Sequence, residues 1–343
     1  MSKSPARLSG LLVLAAAAFL LSGCISSILA DRAITAPNQQ HPPKVVRDAA
    51  YAARMDGLYT QAWRLPVGPP AAELSVAVLE PGDYHFNYRI ELRQNASGRK
   101  YLSPQSDWAK PAAAAVVPVA KGTVLLLHGY MDSKESMHHW AVALAECGYR
   151  TVLVDFRGQG RSTGDVISFG QFECRDLAQL LDDLQKRGLF TDRIGVLGVS
   201  YGASMGLLLA AHDARVGAMV ALEPFSSAET AVVEFAHGVA PSEAAKISAD
   251  TFQAGVAKAA RRGNFSWQEG DVLAAMKQVK VPVLFFHGAK DRWLSPDNSR
   301  RLLAAAPDGS RLTLLDGDDH VSLSMRLNPI ATEVRVWLDE HLK

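Results

Sequence analysis

The sequence predicts a doubly wound α/β domain, a mostly parallel sheet with helices on both faces and a small helical lid. Three observations carry that reading. Short, mostly apolar runs recur at 123–127, 151–154, 194–199, 216–222, 281–286 and 312–315, each bounded by Gly, Asp or Pro. Such runs are strands buried on both faces, as parallel strands are. Segments of helical period separate them: Phe169, Phe172, Leu177, Leu180, Leu181 and Leu184 share one stripe, and Ile330, Val334, Trp337 and Leu338 another. The alternation fails over 223–280, where small helices without a clear strand read as a lid.

From the N-terminus, Lys3 and Arg7 precede an unbroken apolar run, Leu11 to Leu21, followed by Leu21-Ser22-Gly23-Cys24. A basic start, a short apolar stretch and small residues before a cut site are the marks of a signal peptide over 1–23. The run is well short of the ~20 residues a spanning helix needs. Leu-Ser-Gly-Cys also resembles the bacterial lipobox, which implies cleavage before Cys24 and acylation of that cysteine. Stable anchoring takes more than one acyl chain, which a lipobox cysteine carries. Ile25, rather than Asp, follows it, which implies outer-membrane sorting if the source is Gram-negative. The expected partner is therefore a lipid bilayer outside the cytoplasm.

Residues 24–72 hold six prolines (37, 42, 43, 66, 69, 70) and read as a tether with a short helix near Val45–Tyr59. The folded domain is expected over 73–343. Leu74, Val76 and Val78 alternate, Pro81-Gly82-Asp83 turns, and Tyr84–Leu92 alternates again, which predicts a β-hairpin. Residues 103–120, rich in Ala and Pro, read as a loop. The whole chain, 343 residues with 48% apolar and 21% charged, has the balance of an ordinary globular protein. Its net charge of +1, without a basic stripe, points away from nucleic acid. Cys147 and Cys174 lie in amphipathic helices, and sequence leaves open whether they pair, since the Cα separation decides.

The chemistry concentrates at three strand ends. Strand 194–199 enters Gly198-Val199-Ser200-Tyr201-Gly202 and then an apolar helix. G-x-S-x-G between a strand and a helix projects a serine from a strained turn, with glycines where side chains would clash. Ser200 is the candidate nucleophile. A serine needs a base, and the base an orienting group. Strand 281–286 leads to His287-Gly288-Ala289-Lys290-Asp291, and strand 312–315 to Asp316-Gly317-Asp318-Asp319-His320. Asp291 and His320 thus sit at carboxyl ends of neighbouring strands, where ligand sites in open α/β sheets collect.

His128-Gly129, Asp155-Phe156-Arg157-Gly158-Gln159-Gly160-Arg161-Ser162, Gly198 to Gly202, His287 to Asp291 and Asp319-His320 together resemble the α/β-hydrolase superfamily. They are similar to its serine aminopeptidase-like and bacterial carboxylesterase-like members, over about residues 120–343. The resemblance implies a Ser200–His320–Asp291 triad and an oxyanion hole formed by the backbone N–H groups of Tyr201 and Tyr130. It implies a structural role for the Asp155–Ser162 loop. His128 is expected to shape its loop rather than to carry protons.

Other chemistries fit less well. Haloalkane dehalogenases carry Asp at the elbow. No H-E-x-x-H occurs, adjacent His138 and His139 cannot share a helix face, and Gly158-Gln159-Gly160 lacks the third glycine of a dinucleotide fingerprint, so no metal or cofactor is expected. The expected reaction is acyl transfer on a small-molecule ester, because nothing reads a peptide terminus. Phe225, Val232, Val233, Phe235 and Trp267 of the lid either receive an apolar acyl group or form the lid's own core. A peptidase or amidase, and a non-catalytic binding lipoprotein, are the competing expectations.

Overall fold

The computed structural model describes residues 23–95, 97–98, 100–109 and 119–342. The expected signal peptide therefore lies, but for Gly23, outside the described residues. Helix α1 spans residues 23–34, α2 Ala49–Asp56, and then follow β1 (Gln61–Val67), β2 (Ala72–Leu79), β3 (Asn87–Gln94) and β4 (Lys100–Asp107). From there strands and helices alternate: β5 (Thr123–Leu127), α3 (His138–Glu146), β6 (Arg150–Val154), α4 (Gln171–Lys186), β7 (Ile194–Val199), α5 (Tyr201–His212) and β8 (Val216–Leu222). The lid helices α6 (Ala228–Val239) and α7 (Ala249–Gly263) precede β9 (Val283–Gly288), α8 (Asp297–Ala305), β10 (Arg311–Leu315) and α9 (Ile330–His341).

The main sheet has eight strands in the order β1-β2-β6-β5-β7-β8-β9-β10, and all neighbours from β6 to β10 are parallel. Because alternate side chains of a strand point to opposite faces, each strand feeds two cores. Leu125, Leu127, Val196 and Met219 join one core with the α4 stripe and with Met205 and Leu208 of α5. Val124, Leu126, Leu197 and Val220 join the other with Trp140 of α3 and Val334, Trp337 and Leu338 of α9. The doubly wound expectation is the observed architecture.

Three local expectations are corrected. Residues 24–72 are not a bare tether, because α1, α2 and β1 occupy much of that span and β1 pairs antiparallel with β2. Pro66 obscured β1, but proline is tolerated on an edge strand, and β1 is the sheet's edge. The sheet thus begins at Gln61, not at 73. The expected hairpin does not form either: β2 lies between β1 and β6, whereas β3 pairs with β4 in a separate ribbon. The reason is burial, since β2 is covered on both faces while β3 carries Arg89, Glu91 and Arg93 and stays at the surface. Residues 103–107 of the expected loop belong to strand β4. Cys147 and Cys174 are both free.

Trp337 is 2% exposed and anchors α9 on the sheet. Trp337→Ala is expected to cost about 3–5 kcal/mol of stability, read from a urea midpoint followed by circular dichroism.

Candidate active site

Ser200 sits between β7 and α5 with φ 53° and ψ −114°, a conformation rarely open to a side-chain-bearing residue. Two close approaches impose it. A Cβ on Gly198 would stand 2.4 Å from the Gly202 carbonyl, and one on Gly202 would stand 2.2 Å from Leu127 O. The Ser200 amide is spent on Leu222 O at 2.7 Å, which ties the turn to β8. The hydroxyl is left to the cavity above the sheet.

His320 opens a short helix whose start is fixed by Asp319, which accepts from the Ser322 amide at 2.9 Å. Its Nε2 lies 2.9 Å from Ser200 Oγ, and its Nδ1 lies 2.6 Å from Asp291 Oδ2. With Nδ1–H donating to the carboxylate, Nε2 is the free acceptor for the serine proton. Asp291 Oδ1 accepts the Trp293 and Leu294 amides at 2.8 and 3.0 Å, so the carboxylate's position is fixed by its own loop. Burial alone would raise the Asp291 pKa. Hydrogen bonds from His287 and His320, the charge of His320 and the Leu294 amide outweigh it and hold the group well below the usual carboxylate range. Asp291 is therefore an anion at any working pH. The nearby acids have other tasks: Asp319 caps, and Asp318 pairs with Arg326.

The loop after β5 lies against Ser200, because a Cβ on Gly129 would be 3.8 Å from that of Ser200. Tyr130 follows on the cavity wall beside Ser200. Tyr201 opens α5, and a first-turn N–H has no helical carbonyl to meet. Both residues named for the oxyanion hole thus flank Ser200. His128 is fully buried; it takes a hydrogen bond from the Phe156 amide on Nε2 at 3.2 Å and holds Gly129 O with Nδ1 at 2.8 Å. Gln159 Oε1 accepts the Met131 amide at 2.8 Å. Buried Asp155 accepts from the Lys134 ammonium and the Arg161 amide, both at 2.9 Å, and Arg157 is bidentate to Asp176. The Asp155–Ser162 stretch is thus a brace for the loop that carries Tyr130.

One residue escaped the sequence reading. Glu223, directly after β8, has φ 53° and is fully buried, with Oε2 3.7 Å from His320 Nδ1. Neither carboxyl oxygen has a side-chain hydrogen-bond partner. Burial, with the Asp291 charge second, pushes its pKa well above the carboxylate range, so Glu223 is neutral beside an ionised Asp291. An acid immediately after a wholly apolar strand, the one next to β7 both in sequence and in the sheet, was the available signal. Glu223, Asp291 and His320 also present ligand atoms within 4.8 Å of one another. The bond to Ser200 and the protonated Glu223 fit a proton-handling cluster better than a cation site. Cys24 stands apart from this group, exposed near the start of α1.

The cavity over Ser200 has a volume of about 530 Å³. Trp293 packs on the His320 ring at 5.1 Å between centroids, and Phe235 descends from the lid to meet both Trp293 and Tyr130. Of the five lid residues named from sequence, Phe235 and Val232 line cavities, whereas Phe225 and Trp267 are buried in the core. Val233 packs partly buried against that same core.

Residues 118–253 match the family model described as serine aminopeptidase, S33. The uncharacterized protein YqkD of Bacillus subtilis is 27% identical over 223 residues, 63% of this chain and 71% of its own. An esterase of Pyrococcus furiosus superposes with a TM-score of 0.58 at 17% identity, over 84% of this chain and 95% of its own. Est1E from Butyrivibrio proteoclasticus, solved with ferulic acid, gives 0.55 at 15% identity, over 81% and 99%. These likenesses, with the mostly parallel sheet, give the chain the α/β-hydrolase fold.

Glu223 has a folded pKa above its unfolded one, so the stability it lends is full below the ordinary carboxylate range and is lost as pH rises toward the raised value. Glu223→Gln stays neutral throughout and is expected to flatten the decline of the urea midpoint as pH rises above the ordinary carboxylate range; an unchanged slope would contradict a protonated Glu223.

Proposed function

We propose that this chain, built on the α/β-hydrolase fold, is a serine hydrolase that cleaves a carboxylic ester through an acyl-enzyme. The observation that carries the reading is the continuous Ser200–His320–Asp291 hydrogen-bond chain opening onto a cavity. Ser200 Oγ attacks the ester carbonyl carbon as its proton passes to His320 Nε2, and the carbonyl electron pair moves onto oxygen. The Tyr130 and Tyr201 N–H groups are assigned to that oxyanion; one such donor is worth about 10²–10³ in rate. The intermediate collapses, the bond from carbon to the alcohol oxygen breaks, and His320 returns the proton to the departing alcohol. Water then repeats the sequence on the acyl-serine, releasing the acid and restoring Ser200. Asp291, ionised throughout, fixes the His320 tautomer and stabilises the imidazolium.

An aminopeptidase is the second reading, favoured by the family match and by Asp132. That acid lies on the cavity wall without a Lys or Arg ion pair among the described residues. The ester reading has the stronger support, because Glu135, the other acid on the wall, is taken up by Lys134 at 3.1 Å. We further propose that Cys24 carries the lipid anchor of an exported protein, at the outer membrane if the source is Gram-negative. Its exposure at the start of α1 is compatible with that role.

Wild type is expected to label with a fluorophosphonate probe. Ser200→Ala should not label, and its kcat should fall by about 10⁶-fold. A folded wild type that does not label would sink the hydrolase reading, and a clear preference for aminoacyl p-nitroanilides over p-nitrophenyl esters would move the substrate to peptides. Radiolabelled palmitate should enter the wild type and not Cys24→Ser; incorporation that survives the substitution refutes the anchor.

A further inference from the structure

A second cavity, of about 400 Å³, adjoins the one over Ser200 and shares Tyr130, Met131, Phe235 and Val239 with it. Its inner wall is apolar, with Val232 and Val256 from the lid helices and Leu29 and Ala33 from α1. Charged and polar groups appear at the outer mouth, where Arg32, His41 and Glu243 are exposed. An apolar interior with a few polar groups at one end is the composition of a site for an amphipathic or apolar ligand.

The N-terminal wall is built, not incidental. Lys258 of α7 donates to Gly23 O at 3.0 Å and Ser26 Oγ at 2.7 Å, and Arg262 donates to Ser27 O at 2.9 Å. Gly255 lets the two helices touch, since a Cβ there would stand 2.9 Å from Leu29 Cβ. Beyond α1 the segment is fastened to the core, with the Ala36 amide on Asp165 O and the Asn38 amide on Gly158 O, both at 3.0 Å. Residues 23–38 therefore close a space that the lid alone would leave open.

The chemistry at Ser200 decides which half of an ester this space receives. His320 must reach the leaving oxygen to return a proton, so the alcohol departs on the side of His320 and Trp293. Both of these line the first cavity and neither lines the second. The acyl substituent points the other way, past Tyr130 and Phe235, whose rings stand edge to face at 5.8 Å. We propose that the second cavity is an acyl-chain subsite completed by α1, and that the substrates are esters of unbranched, medium to long fatty acids. The proposal rests on the hydrolase reading for its orientation, while the cavity's capacity for an aliphatic chain stands without it.

The test uses the full chain and p-nitrophenyl esters from acetate to palmitate. For wild type, kcat/KM is expected to climb by up to roughly fourfold per added methylene until the cavity is full. Ala33→Trp fills the cavity from its α1 side and is expected to lower the decanoate-to-acetate ratio about tenfold or more. Leu29→Ala enlarges it and should move the optimum to longer chains, a shift in the opposite direction that misfolding would not give. Ratios and optima unchanged in both variants overturn the subsite. Fluorophosphonate labelling of wild type reports separately on the hydrolase reading. Should that labelling fail, cis-parinaric acid binding to Ser200→Ala, read by fluorescence and displaced by decanoate, still supports the subsite, and no binding overturns it.

Discussion

The contact on which the rest of the site depends is the approach of Gly202 to the end of β5. With Leu127 O and His128 O both within 2.6 Å of where a Cβ on Gly202 would stand, the first turn of α5 and the loop after β5 cannot move independently. Ser200 and the residues beside it are thereby set by one packing surface. The cost is a strained Ser200 backbone, which persists because the surrounding sheet over-determines it. Any side chain at position 202 would push β5 and α5 apart, displacing Ser200 from His320 and from Tyr130 together.

Around this contact the polar groups divide by environment. Asp291 and Glu223 flank the same imidazole, yet one is ionised and the other neutral. Asp291 has two amides and two histidines directed at it, while Glu223 sits at the end of an apolar strand with little but buried neighbours. Two carboxylic acids a few ångströms apart cannot both ionise cheaply, and the hydrogen-bond donors decide which does. A neutral Glu223 leaves the negative charge that His320 sees in one place, along the Nδ1 direction. The Asp155 cluster works by the same rule at a distance from the chemistry. Its buried carboxylate is matched by Lys134 and by backbone amides, and the ordered loop it creates presses Gln159 against Met131.

Much of this was legible in the sequence, and what was not has physical causes. The buried strands β5 to β9 announce themselves because both faces are apolar, and Ser200, Asp291 and His320 follow from their place at strand ends. β1 was hidden because an edge strand needs neither continuous apolar sequence nor freedom from proline. The pairing of β2 was misjudged because alternation tells which residues share a face and says nothing of which strand lies alongside. Glu223 is a single acid whose meaning depends on a neighbour 68 positions away, Asp291, and no local pattern encodes that encounter. The lid's aromatic residues were named correctly as apolar, but only the fold separates Phe235, which faces the cavity, from Trp267, which donates to Val256 O within the core.

The hydrogen bonds from Lys258 and Arg262, with the Arg262–Asp31 ion pair, give the first described residues a mechanical character. Five residues at a helical rise separate Cys24 from Leu29, roughly 8 Å along the axis. Lys258 and Arg262 hold that stretch to the lid without slack. Whatever grips residue 24 therefore grips the folded body in a fixed attitude, as a bracket does and a leash does not. Under the proposed lipid anchor, a molecule so held would meet the proposed ester by sliding in two dimensions, and its rate would follow the surface density of that ester rather than its bulk concentration.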